Sequence, residues 1–215
     1  MYEPVLEAAA RGATLVTPNK RLARELVAMH DRATLAAGAR AWPAARALPW
    51  QAFVAELWQQ ALDAGLPLPP QRLDARQAAH LWQRIVAVDL DDAPLLDATT
   101  SAALAGEAWE RVHAYGEGGA SWRGFVATGP EVAAFVRWAE AFERETKKLG
   151  ALDLARAPDA IAGVAGRLPG VASLDVAWIG FVEESPQQRR LLAALEHAGA
   201  AVARVDGDLT SRIAR

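Results

Sequence analysis

The chain contains no cysteine, which removes disulfides, thiolate metal sites and cysteine nucleophiles from consideration and fits a reducing compartment. It has no excess of positive charge. Lys and Arg number 23 against 26 Asp and Glu, a formal net charge of -3, so contact with nucleic acid or anionic lipid would need a local basic patch. The opening MYEPVLEAAARG carries early acids and no sustained apolar run, so it reads as neither a secretory signal nor a membrane anchor. The expectation is a cytoplasmic protein with no membrane attachment.

Several catalytic signatures are also missing. No G-x-x-x-x-G-K-[ST] phosphate loop occurs, and the glycines of GEGGASWRG follow a helical stretch rather than a strand. The histidines, His30, His80, His113 and His197, show no H-E-x-x-H or i, i+4 pairing. Asp89, Asp91, Asp92 and Asp97 lack the glycine of a calcium loop, and Pro94 intrudes. Glu145-Thr146-Lys147 and Pro158-Asp159 supply the pieces of a nuclease pattern in reversed order, with the E-x-K inside an amphipathic helix where the acids cannot converge on a metal. No cofactor, no metal and no catalytic residue is expected from this segment.

What is present describes a folded protein: 52% hydrophobic and 23% charged residues over 215 positions, enough for one large domain or two modest ones. The eight Trp residues mostly fall at helical spacing among Leu, Val and Ala, where large aromatics fill cores. Patterning predicts a helix over 3–10, a strand over 14–17, and a helix from Pro18, capped by Thr17, to 36 or 37 with Leu22, Leu26, Met29 and Ala33 inward. A second strand follows over 44–48, then a helix opened by Pro49 and Trp50. Gly65 with Pro67, Pro69 and Pro70 forms the clearest linker.

Helical periodicity then runs from Asp74, spaced with Gln77 as a capping box, through an acidic turn at 89–97. It continues in a helix over 100–115 burying Leu104, Ala108, Trp109 and Val112, and a helix from Pro130 carrying Phe135, Trp138, Phe142 and Leu149. A short helix over 159–168 closes the block. Strand character returns in the continuous apolar run 174–182. Ser185-Pro186-Gln187-Gln188 is a helix start, and a last strand is expected over 201–205. This order predicts an α/β fold: a small, mostly parallel sheet flanked by helices, with a large all-helical insertion. The sheet domain would comprise 1–66 and 170–215, and the insertion 71–168. The tail 207–215 closes nothing visible and suggests a longer parent chain.

The stretch TLVTPNKRLARELV concentrates the functional interest. A strand that feeds a helix through a polar turn presents unpaired N–H groups and partial positive charge to a ligand. Pro18 and the lack of glycine speak against a nucleotide. A nucleic-acid phosphate, aided by Lys20, Arg21 and Arg24, and a solvated basic face with a packing role both remain open. Glu183 and Glu184 sit where an ATPase would hold its metal, but they also precede a helix cap, where acids favour the dipole.

Three stretches, TLVTPNKRLARELV, ARALPWQAFVAELW and DVAWIGFVEESPQQRRLLAAL, together resemble the N-terminal region of AddB-like proteins. These are the AddB-type partners within bacterial helicase-exonucleases of DNA repair and recombination, together with a related group of probable DNA repair proteins. The resemblance implies a P-loop-helicase-like sheet with a degenerate nucleotide loop, the first strand being replaced by the helix over 3–10, and Gly180-Phe181 standing where active relatives carry metal-binding acids. It further implies a catalytically inactive module that scaffolds a DNA repair exonuclease and contacts single-stranded or end DNA. Thr17, Asn19, Lys20 and Arg21 would make those contacts, with Arg24 beside them and Trp50 as a base-stacking aromatic. The implied partners are a helicase-nuclease subunit and a C-terminal nuclease domain of the same parent chain. The alternative expectation is a protein-interaction module that docks a partner subunit through its helical block.

Overall fold

The computed structural model describes residues 3–89, 97–116, 122 and 129–205. It divides into two compact units. The first comprises 1–66, 162–184 and 192–215, and the second 67–161 and 185–191. Most of the acidic turn, the GEGGASWRG loop apart from Gly116 and Trp122, and the tail beyond Val205 lie outside the described residues.

The first unit is α/β. Helix α1 (Glu3–Ala10) buries Val5, Ala8 and Ala9 and ends where Gly12, at φ 82°, turns the chain in a conformation that suits glycine. Strand β1 (Thr14–Thr17) follows, buried at every position. Helix α2 (Lys20–Ala36) leads to β2 (Ala47–Pro49), which runs directly into α3 (Trp50–Asp63). After two short 3-10 turns come β5 (Asp175–Ile179), the second half of α8 (Pro186–His197), whose residues from 192 on belong to this unit, and β6 (Ala201–Val205). All pairings are parallel, and the strand order is β2-β1-β5-β6. Leu15 lies opposite Ala47 on one side and Ala177 on the other.

Alternation along the two central strands decides what each face packs. Leu15, Ala177 and Ile179 join Val5, Ala8, Leu22 and Leu26 in one core. Trp178, one residue out of phase, instead meets Trp50 of α3 edge-on, with ring centroids 5.5 Å apart. Central strands covered on both faces are expected to be apolar throughout, which accounts for LVT and VAWI. The 174–182 run yields a shorter strand than its composition suggests. Gly180 takes φ 75° and ends it, leaving Val182 93% exposed.

The second unit contains β3 (Gln71–Arg72), α4 (Ala75–Asp89), α5 (Ala98–Tyr115), α6 (Pro130–Lys148), β4 (Ala151–Leu152) and α7 (Ala157–Ala162). The expectation of an all-helical block is corrected by β3 and β4, which pair in parallel over two residues each, too short to imprint a period of two. The short closing helix also differs, because α7 stops at Ala162 and a 3-10 turn occupies Ala165–Arg167. At α4, the Gln77 N–H donates to Asp74 Oδ1 at 2.8 Å and the Asp74 N–H donates to Gln77 Oε1 at 2.9 Å, the reciprocal box that the spacing implies. The core is aromatic: Trp82 stacks on Phe142 at 4.2 Å, and Trp109 meets both at an angle. Helix α5 buries Trp109 as expected, but with Ala102, Ala105 and His113 beside it rather than Leu104, Ala108 and Val112, and Leu104 is 61% exposed. Leu149, past the end of α6, is exposed too.

Candidate nucleic-acid interface

In a sheet of order β2-β1-β5-β6 the chain leaves β1 toward one edge and later returns through β5 toward the other. The carboxyl ends of β1 and β5 therefore flank the switch point where open α/β sheets bind ligands. Thr17-Pro18-Asn19 lies on one side of it and Gly180-Phe181 on the other. Side chains fill the space between them. Gly180 is packed so closely that an added Cβ would overlap Leu22 Cδ2 and lie 3.9 Å from Pro18 Cδ. Phe181 lies flat on Trp178 at 3.6 Å. No glycine-rich turn opens a phosphate cradle after β1.

The start of α2 differs from the sequence expectation. Thr17 does not cap the helix and Pro18 is not its first residue. The cap is Asn19, with extended backbone and a side-chain oxygen that accepts the Leu22 N–H at 2.9 Å. Thr17 is fully buried, and its hydroxyl lies 3.0 Å from the Asn19 carbonyl and 3.3 Å from that of Leu48. Thr17 therefore ties β1, the turn and β2 together, and its side chain does not face solvent. Among the described residues the backbone N–H groups of Lys20 and Arg21 have no acceptor, as expected for the first positions of a helix.

The cations around this turn stand apart from most others in the unit. Arg11 pairs with Asp175, Arg32 with Glu25, Arg46 with Glu56, and Arg204 with both Glu184 and Glu196. Lys20, Arg21 and Arg24 are exposed and, like Arg40 and Arg167, have no carboxylate partner among the described residues. Lys20 and Arg24 also border an open groove of about 470 Å³ between α2 and the β2–α3 junction, floored by Ala23, Val27, Ala47 and Pro49. Among the described residues its one acid is Asp31, which accepts the Trp42 indole N–H at 2.8 Å. Sequence reasoning did not foresee this groove. Its signal was the small-residue face Ala23, Val27 and Ala28, meaningful only once β2 lies beside it.

Trp50 is half-buried, wedged against Phe53 and Trp178. It does not line the groove, so the structure joins Lys20 and Arg24 but sets the aromatic apart from them. Glu184 is tied to Arg204 at 3.1 Å. Among the described residues no group of three or more His, Asp or Glu could hold a metal, and no helix is long and apolar enough to cross a membrane. No protein-family model matches the chain, and no curated protein gives a significant match.

Proposed function

We propose that the chain is a catalytically inactive, P-loop-helicase-like N-terminal module of a bacterial DNA repair exonuclease, with the helical unit as an insertion in its sheet domain. In this reading it scaffolds the parent enzyme and contacts single-stranded or end DNA. The observation that carries the reading is the trio Lys20, Arg21 and Arg24: exposed, without carboxylate partners among the described residues, on the first turns of a helix whose leading N–H groups are unclaimed. A helix N-terminus with added cations suits a backbone phosphate. The inactive half of the reading is supported by the close packing of Leu22 and Pro18 on Gly180 at the ends of β1 and β5, and by the absence of a glycine-rich turn after β1. The nuclease activity belongs to a C-terminal domain of the parent chain, and a helicase-nuclease subunit is the expected partner.

Three phosphate contacts to a single strand give a slope of log K on log salt of about -2, so raising salt fourfold weakens binding about twentyfold. Fluorescence anisotropy with an oligothymidine should show that dependence. The variant carrying Lys20→Ala, Arg21→Ala and Arg24→Ala should lose most of the binding while keeping its circular dichroism. Absence of binding by the unaltered chain at low salt would overturn the DNA contact. A second reading, docking of a partner subunit through the helical unit, is favoured by Val88, Leu104, Tyr115 and Leu149, all exposed there. That docking would be indifferent to the triple substitution.

A further inference from the structure

The second unit holds a cavity of about 320 Å³ between α4, α5 and the loop after β4, and its chemistry is one-sided. Glu107, Glu110 and Asp153 line it, no Lys or Arg does among the described residues, and the rest of the wall is alanine and Leu154, the aromatic side chains of Trp82, Trp109 and Phe142, and the neutral polar Gln83 and Thr99. Two of the acids have cations of their own. Asp153 receives the Arg156 Nε–H at 2.6 Å from outside the cavity, and Glu107 lies 3.5 Å from Arg111 on the surface of α5. Glu110 has no basic partner among the described residues. Partial burial first, then the charges of Asp153 and Glu107, hold its carboxyl above the usual carboxylate range.

Gly106 lines this space beside Trp82. It sits inside α5, where glycine weakens a helix relative to alanine. Its φ is not positive, and an added Cβ would come no nearer than 3.6 Å to Trp82 Cδ1, an ordinary contact. Packing therefore does not require glycine at this position. What the missing methyl does is leave the Trp82 edge open to the cavity. The chain also shows what such a wall accepts. The Arg156 guanidinium lies 5.3 Å from the Trp109 ring centroid and 5.8 Å from that of Phe142, with Asp153 as its counter-ion.

We infer that this cavity is a binding site for an aliphatic cation, an ammonium or guanidinium on a methylene stem, with its head at Glu110 and Glu107 and its stem along the alanines and Trp82. The site is independent of the DNA reading. Carboxylates opposite an aromatic wall recognise the charge, and the apolar floor accepts the stem.

The probes are cadaverine, an amide-blocked lysine and, as the neutral control of matching length, pentanol. Binding to the whole chain is followed through the indole N–H resonances of Trp82 and Trp109. Saturable shifts with both cations and none with pentanol are expected. Glu110→Gln should bind about tenfold more weakly, as for loss of a charged hydrogen-bond partner. Gly106→Ala should bind more weakly while melting at a higher temperature, a combination that a purely structural glycine would not give. Blocked lysine binding more tightly than cadaverine supports the site with a polypeptide side chain as the source, and the reverse order supports it with a free polyamine. Equal response to pentanol, or unchanged affinity in both variants, would overturn the proposal.

Discussion

Gly180→Ala probes the filled switch point most directly. At φ 75° an alanine must adopt a left-handed backbone, which costs about 1–2 kcal/mol. Its Cβ would also overlap Leu22 Cδ2, with Leu22 Cγ and Pro18 Cδ both at 3.9 Å. Leu22 is almost buried within the core of α1, α2 and the sheet, so moving it adds a cost of overpacking, about 1–3 kcal/mol. The sum is about 3 kcal/mol of lost stability. Leu22→Ala alone should cost about 2–5 kcal/mol as a cavity. In the double variant the overlap is gone and only the backbone term of residue 180 remains. The pair should therefore be less destabilised than the sum of the singles by about 1–3 kcal/mol. Urea unfolding followed by far-UV circular dichroism and by tryptophan fluorescence measures this cycle. Additivity within about 0.5 kcal/mol would mean that β1 and β5 do not close on each other at residue 180, and the crevice would again be open to a ligand.

Two further predictions test local structure. Burial, with smaller contributions from Arg156 and Arg190 against the opposing pull of Asp153 and Asp159, lowers the His113 imidazole to about 4. The unfolded chain protonates near the ordinary value of about 6.5 and the folded one resists, so stability is unaffected above that pH and falls as pH drops toward 4, by about 2 kcal/mol at pH 5. His113→Phe keeps an aromatic edge against Trp109 and should lose less stability between pH 7 and pH 5, read from urea midpoints; an equal acid loss in both proteins would refute the assignment. Asn19→Ala removes the acceptor for the Leu22 N–H and should cost about 1 kcal/mol, whereas Asn19→Asp should restore the cap, both read by thermal melting.

Element order was legible in the sequence because its punctuation is chemical. The boxes at Asp74 and Gln77 and at Ser185 and Gln188 form as their spacing implies, and Gly12, Gly65 and Gly199 all take positive φ just past helix ends. Errors arose where two residues compete for one role. Thr17 and Asn19 are both good caps, and the sequence does not reveal that β2 would bury Thr17. On α5 the largest aliphatic residue drew the stripe through Leu104, but Trp109 sets the inward face, and its helical neighbours are Ala105 and His113. In a helix rich in alanine, the amphipathic phase follows the large aromatic that the core takes up, here Trp109, while Tyr115 stays exposed.

The candidate sites divide along the same physical line. That Lys20, Arg21 and Arg24 share the start of one helix follows from their spacing. That they are available does not, because availability depends on which acids the fold brings near: Arg11 finds its counter-ion 164 residues away in Asp175, and Arg204 finds Glu184 across the end of the sheet. A count of charges gives a slightly acidic protein with no reason to meet DNA, whereas the pairing leaves a local excess of positive charge at the start of α2. The acidic cavity of the second unit has the same origin. Glu107 and Glu110 face one way because they are three residues apart on α5, but Trp82, Phe142 and Asp153 reach them only through α4, α6 and the loop after β4. In both places the residue types are local and the field they create is tertiary.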